Sequence, residues 1–299
     1  MIWEQIRVDC APEMVDLIAD QLIELGTGGV QWLDDETTTA PGNDRAAVLA
    51  YLPAAQELTD FLQKLDQRLQ SLQDQGFLTV GWRLSTRQVD DQKGALAWES
   101  YYHVQHLTRF ITVVPQWEDH QPTTNDEIVI RLDPGRSFGT GMHPTTRLAV
   151  SALELSLRPG RSVFDVGTGS GILSLVAWRL GASTIQATEL DENALAFTEK
   201  NLRLNHGEAA IKLMAGSLLT PVEGRADLII ANMLPEALLP LIPQLTGHLQ
   251  PEGQVILTGI INTQLPKIQN ALTQAGFVVD LLLQAGDWFC LRCQKEGES

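Results

Sequence analysis

Basic side chains are scarce in this sequence: 21 lysines and arginines stand against 37 aspartates and glutamates in 299 residues, a formal net charge of −16. A protein that grips nucleic-acid phosphates needs a basic footprint, because counterion release supplies much of the affinity. None is visible here. Acidic surfaces steer basic partners instead, over about 8 Å at physiological salt, although acidity also simply aids solubility. Cysteine is nearly absent. Cys10, Cys290 and Cys293 cannot all pair internally, which favours a reducing cytoplasm. No apolar run approaches the roughly 18 residues that span a bilayer. MIWEQIRVDC has no basic segment leading into an apolar one, so neither a membrane span nor a signal peptide is expected. No Gly-Lys-Ser/Thr occurs, which excludes a Walker phosphate loop. Repeats and low-complexity tracts are missing too. What remains is a soluble globular chain, 44% hydrophobic, with room for two domains.

Residues 1–90 carry 15 acidic and 6 basic side chains and no histidine. IWEQIRV alternates as a strand, and PEMVDLIADQLIELG has helical spacing that stops at Gly26. GGVQWLDD and AAVLAYLP read as strands, AAQELTDFLQKLDQRLQSLQ as an amphipathic helix, and FLTVGWRLSTRQV as a further strand. The order β-α-β-β-α-β predicts a small ferredoxin-like α+β domain. It offers no catalytic kit, so binding is its expected job. Residues 91–118 read as a connector: Gly94, then an aromatic-rich segment through Phe110, predicted helical, with Trp98, Tyr101 and Tyr102 packing on a domain or forming a binding face. Over 119–299 strands and helices alternate, which predicts a doubly wound α/β sheet. FVVDLLLQ and DWFCLRC close it as an antiparallel hairpin at the sheet edge.

SVFDVGTGSGILSL places Asp165, Gly167, Gly169 and Gly171 at a strand-to-helix turn. Glycines there admit a ligand close to the backbone, and the helix start supplies free N–H groups. A dinucleotide fingerprint needs its third glycine at position 172, which is Ile172. The order is D-x-G-x-G-x-G instead, which resembles the first motif of the S-adenosylmethionine-dependent methyltransferases. Asp165 can orient the turn through N–H groups. The next strand, IQATELDEN, ends in Glu189, a carboxylate placed to accept two hydrogen bonds from ribose hydroxyls; Asp191 is read as a helix cap. A plain solvated strand end is the alternative for Glu189. ADLIIANMLPEA ends in Asn232, at the edge where such sheets bind ligands. Enzymes that methylate amide or amine nitrogen often carry Asn/Asp-Pro-Pro-Tyr/Phe there, and only the Asn is shared. Its side-chain oxygen can accept from a substrate amine; capping the next helix is the simpler role.

With PGRSFGTGMHPTTRL ahead of DVGTGSGIL and IIANMLPEALLPL, residues 90–260 resemble the ribosomal protein L11 methyltransferases, whose usual forms are PGxAFGTGxHxTT, DxGCGSGIL and VANILAxxL. Three departures stand out. Glu189 replaces a common aspartate, Thr168 a frequent cysteine, and Pro235 an alanine, although proline suits the first turn of a helix. The resemblance implies a seven-stranded methyltransferase sheet that binds S-adenosyl-L-methionine through Thr146, Asp165, Gly167, Gly169, Glu189 and Asn232. It implies that Phe138, Gly139, Thr140 and Gly141 form a loop over the cofactor, and that the substrate is ribosomal protein L11, methylated on amino groups. Residues 1–90 are then the substrate-recognition module, and the expected enzyme is a cytoplasmic monomer without metal.

His143 tempts a general-base or metal reading, yet no second ligand lies at metal-binding spacing, and hydrogen bonding to its own loop is the simpler role. Cys290 and Cys293 lie three apart on a strand, on opposite faces, which favours packing over zinc or redox work. Two alternatives stay open. An RNA or small-molecule methyltransferase shares every cofactor contact, although the acidity and the lack of an aromatic RNA-binding signature argue against RNA. A non-catalytic assembly factor is the other, against which stand intact Gly167, Gly169, Gly171, Glu189 and Asn232.

Overall fold

The computed structural model describes residues 2–25, 27, 30–33, 46–53, 58–78, 81–90, 103–133 and 143–297. They form two compact units, divided between His103 and Val104. The first unit runs β1 (Ile2–Cys10), α1 (Val15–Glu24), β2 (Val30–Leu33), β3 (Ala46–Pro53), α2 (Leu58–Asp74) and β4 (Arg83–Asp90). Its sheet order is β2-β3-β1-β4, antiparallel at every pairing, the ferredoxin-like arrangement expected. Alternation along β1 turns Ile6, Val8 and Cys10 inward, where they cluster with Ile18 and Leu22 of α1 and Phe61, Leu65 and Leu69 of α2. β4 starts later than its apolar run predicts. The Phe77 N–H closes α2 by donating to Leu72 O at 2.8 Å, and Leu78 is buried in the core, so neither opens the strand, which starts at Arg83.

The second unit opens with β5 (Gln105–His106), β6 (Ile111–Pro115) and β7 (Ile128–Leu132), joined in a separate three-stranded sheet. The end of the connector, expected to be helical, is thus partly strand and belongs to this unit. The β-branched run Ile111–Val114 is wholly buried and favours extended backbone. Gly94, Trp98, Tyr101 and Tyr102 lie outside the described residues. β7 pairs in parallel with β6 and does not enter the large sheet that the alternation from residue 119 suggested.

That sheet is built from β8 (Ser162–Val166), β9 (Thr184–Glu189), β10 (Ile211–Ala215), β11 (Ala226–Asn232), β12 (Leu249–Ile261), β13 (Phe277–Ala285) and β14 (Trp288–Lys295). The helices between them are α3 (Pro144–Ser156, ahead of β8), α4 (Ile172–Arg179), α5 (Glu192–Leu204), α6 (Pro235–His248) and α7 (Leu265–Gln274). Strand order is β10-β9-β8-β11-β12-β14-β13. The pairings from β10 to β12 are parallel, while β14 runs antiparallel between β12 and β13. Order reverses between β8 and β11, which opens a crevice at the carboxyl edge of the sheet. Val163 and Ile230 face the layer holding α3, α4 and Leu202 of α5, whereas Phe164 and Ile229 face that of α6 and α7. Pro235 opens α6 as expected, and the helix runs on through Pro240 and Pro243 because Leu238, Leu241, Ile242 and Leu245 are buried.

Cys290 and Cys293 fall in opposite core layers, as their spacing predicts. Burial pushes both thiols up to about 12, so they are inert packing groups. No helix among the described residues is long and apolar enough to cross a membrane.

Candidate functional site

The glycine turn joins β8 to α4. Asp165, 1% exposed, holds it: Oδ2 accepts from the Thr168 and Ser174 hydroxyls, each at 2.6 Å. The sequence suggests N–H groups for this role, but hydroxyls supply the shortest bonds. Thr168, a departure from the family's frequent cysteine, donates where a thiol donates only weakly. Burial pushes the Asp165 carboxyl up, the Ser174 and Thr168 hydroxyls draw it back, and the charge on Glu189 adds to the rise.

The free N–H groups expected at the helix start are largely engaged within the protein. Gly167 and Thr168 both donate to Thr188 O at 2.9 Å, and Gly171 donates to Thr168 O at 2.9 Å. Gly169 donates to Glu189 Oε2 at 3.0 Å. A turn whose amides are used in this way is not an anion nest. Glu189 also accepts the N–H groups of Leu190 and Asp191 on Oε1, at 2.7 and 3.0 Å. An ionised carboxylate has about four acceptor positions. The expected pair of hydroxyl contacts therefore has one open position, on Oε2, and shares another. Asp191 caps α5, accepting from Asn193 N at 2.9 Å. Sequence reasoning did not single out Leu190, which is 71% exposed beside this carboxylate, or Leu218, left-handed at φ 52 just past β10. An exposed apolar side chain and a strained backbone on adjacent strand ends both mark functional edges.

Asn232 closes β11 opposite Thr258 of β12. Its side-chain oxygen is buried and has no hydrogen-bond partner among the described residues. The following residue, Met233, donates its N–H to Thr258 O at 3.1 Å. Two glycines make room for it. A Cβ on Gly167 (φ +70) would lie 2.6 Å from Met233 Sδ, and one on Gly259 (φ +85) would lie 2.7 Å from the Met233 carbonyl carbon. The Asn232–Met233 bend is therefore seated between the glycine turn and β12. Neither Met233 nor Gly259 carries a sequence signal of its own, since the contacts join distant segments.

At the head of α3, His143 is the N-cap: Nδ1 accepts the Thr145 N–H at 3.3 Å and lies 2.7 Å from the Thr145 hydroxyl. Its ring meets Trp288 edge-on at 4.7 Å, and burial lowers its pKa to about 4. The imidazole is neutral at pH 7 and bonded to its own helix start, as the simpler reading holds. Trp288 stands opposite Ile261 at the end of β12, so this contact brings the N-terminus of α3 to the same sheet edge as Asn232. Thr146, in that first turn, is 0% exposed, and its hydroxyl has no partner among the described residues. Phe138, Gly139, Thr140 and Gly141 lie outside the described residues.

Thr188 Oγ1 is likewise buried and unpartnered, beside Glu189. Each such oxygen costs about 1–3 kcal/mol unless a ligand or water supplies a donor. Unpartnered oxygens on β9 and α3, with Glu189 next to the first and the turn's amides engaged, suit a small ligand rich in donors and carrying positive charge. S-adenosylmethionine, with its ammonium, ribose hydroxyls and sulfonium, fits that description.

The model of the family described as Ribosomal protein L11 methyltransferase (PrmA) matches residues 2–296. A ribosomal protein L11 methyltransferase of Limosilactobacillus fermentum is 37% identical over 314 residues, covering 99% of this chain and 98% of its own. That of Lactobacillus acidophilus is 39% identical over 303 residues, 96% of each. The crystal structure of a ribosomal protein L11 methylase from Lactobacillus delbrueckii subsp. bulgaricus superposes with a TM-score of 0.63 at 46% identity, covering 66% of this chain and all of that one. With the glycine turn, the strand-tip carboxylate and the Asn232 edge arranged on a doubly wound sheet, and similarity running the whole length, this chain belongs to the ribosomal protein L11 methyltransferase family.

Proposed function

We propose that this protein transfers methyl groups from S-adenosylmethionine to amino groups of ribosomal protein L11, on lysine side chains and, as in some members of the family, on the chain's own N-terminus. When bound, the cofactor supplies an already activated methyl group on a sulfonium. The chain's task is placement: a neutral amine held in line, within van der Waals reach of that methyl. The glycine turn, Glu189 and Thr146 hold the cofactor. The apolar Leu190 and Leu218, on neighbouring strand ends, suit the faces of its adenine.

The observation that carries this reading is the buried, unpartnered oxygen of Asn232 at a strand tip beside the glycine turn. It accepts an N–H from the incoming amine and aims the nitrogen lone pair. A lysine of ordinary pKa about 10.4 is roughly 0.1% neutral near pH 7.4, and reaching that form costs about 4 kcal/mol. A water-poor site beside a fixed cation lowers the cost by disfavouring a second one. No side chain is needed as a dedicated base, and the proton leaves to solvent. His143, engaged at its own helix start, is not assigned that task.

Residues 1–90 are the substrate-recognition module in this reading. Their net charge of −9 suits a basic ribosomal protein through steering that weakens with salt. Three buried cysteines outside any disulfide are compatible with a reducing cytoplasm, and a monomer completes the proposal. The test is transfer of radiolabelled methyl groups from S-adenosylmethionine into ribosomes that lack the modification, with protein and RNA separated and L11 peptides weighed. Label confined to L11, in steps of methyl mass on amines, is expected. Label in RNA, or none, defeats the proposal.

A further inference from the structure

Two polar residues of α5 hold the glycine turn from behind. Thr198 and Asn201, three positions apart, share a helix face, and both are 0% exposed. The Thr198 hydroxyl donates to Gly169 O at 2.6 Å. The Asn201 amide donates to Ser170 O at 2.9 Å and to Asp133 O at 3.3 Å, while its Oδ1 accepts the Asp133 N–H at 2.8 Å. One buried amide therefore ties two segments far apart in sequence, the residue after β7 and the middle of the glycine turn.

Asn205 supplies the comparison. One turn further along α5, it accepts the Arg131 N–H at 2.8 Å and donates to Arg131 O at 2.6 Å and Asn201 O at 2.7 Å. It clasps β7 just as Asn201 clasps Asp133, because four helical residues rise about 6 Å and two strand residues about 6.6 Å. None of these contacts reaches the glycine turn. Anchoring this segment to α5 therefore involves both asparagines, and the bond to Ser170 is what Asn201 adds.

We propose that Asn201 is a positioning residue for cofactor binding, locking the Gly169–Ser170 part of the turn to the end of β7 so that the turn is ordered before the ligand arrives. The inference rests on the cofactor binding at the glycine turn. A trans peptide is planar, so fixing the carbonyls of Gly169 and Ser170 fixes the two peptide planes and the surface they offer. Without Asn201 the Ser170 carbonyl loses this bond to α5, the turn samples more conformations, and the ligand must re-order it at the expense of affinity.

Calorimetric binding of S-adenosylhomocysteine to the full chain tests this, with thermal denaturation of each variant alongside. Asn201→Ala and Asn205→Ala are both expected to lower Tm. Only Asn201→Ala is expected to weaken binding, by about tenfold, against less than about twofold for Asn205→Ala. Asn201→Ser, whose shorter hydroxyl cannot span both segments, carries the same expectation and replaces the alanine variant should that not fold. Unchanged affinity in the Asn201 variants, or equal losses at both positions, overturns the proposal. Glu189→Gln is measured in parallel. Wild-type affinity in that variant instead removes the cofactor from this edge, which sinks the underlying site reading and not the clasp alone.

Discussion

The backbone N–H of Gly169 donates to Glu189 Oε2 at 3.0 Å, tying the first strand-to-helix turn of the large sheet to the tip of the adjacent strand. The carboxylate thus shapes the turn as well as standing at the candidate cofactor edge. Glu189→Gln is close to isosteric but removes the charge and one acceptor oxygen, turning an NH2 toward either the Gly169 N–H or those of Leu190 and Asp191. Hydrogen bonds to charged groups contribute about 1.5–3 kcal/mol each, so the Kd for S-adenosylhomocysteine is expected to rise about 10- to 100-fold. Turnover at saturating cofactor changes far less, as a steady-state comparison of the variant with wild type will show.

Asn232→Ala separates orientation of the amine from capture of the cofactor. Removing its buried oxygen is expected to lower turnover about 100-fold, with cofactor Kd within about threefold of wild type. Equal losses in both quantities assign the residue to cofactor binding and leave the amine without its guide.

Gly259 acts on Asn232 through Met233. In Gly259→Ala the new methyl meets the Met233 backbone at 2.7 Å or less in a left-handed conformation, pushing the Asn232–Met233 bend off β12. Misplacement of about 1 Å costs on the order of 100-fold in rate. Gly276→Ala is the control: its φ is also positive, at +78, but nothing lies within 4 Å of a Cβ there. Both variants are expected to lose stability, and only Gly259→Ala to lose turnover in the methyl-transfer assay.

His143 links stability to pH. Its pKa is about 4 in the folded chain against an ordinary 6.5, so between those values the unfolded chain binds a proton that the native one refuses. Stability is then fully present above about 6.5 and falls as pH drops toward 4. His143→Asn keeps a competent N-cap without the titration. The difference in Tm between wild type and this variant is expected to change across that window and to be flat above it; a constant difference rules out the linkage.

Much of the site is legible in the sequence because it is local. The glycines that follow Asp165, the carboxylate at the end of IQATE and the Asn closing ADLIIAN each lie where a strand stops, and strand ends can be read from apolar runs and glycines. Local chemistry also predicts the Asp191 cap, Pro235 at a helix start and the opposed faces of Cys290 and Cys293. The end of the connector misled, because it runs into a β-branched segment whose pairing partner, β7, lies across a polar loop. The use of the turn's amides by Thr188 and Glu189 was equally hidden, since it depends on the parallel register of β8 against β9.

Composition, spacing and turn chemistry by themselves determined a two-part α/β chain, the candidate ligand edge of its large sheet and the carboxylates and amide proposed to mark it. Only the tertiary structure decided what holds those groups in place: Glu189 on Gly169, Met233 between Gly167 and Gly259, and Asn201 between Asp133 and Ser170. The reason is range. Backbone propensity and hydrophobic period act over a few residues, whereas each of these clasps joins segments whose neighbourhood exists only once the sheet has closed and the core has excluded water.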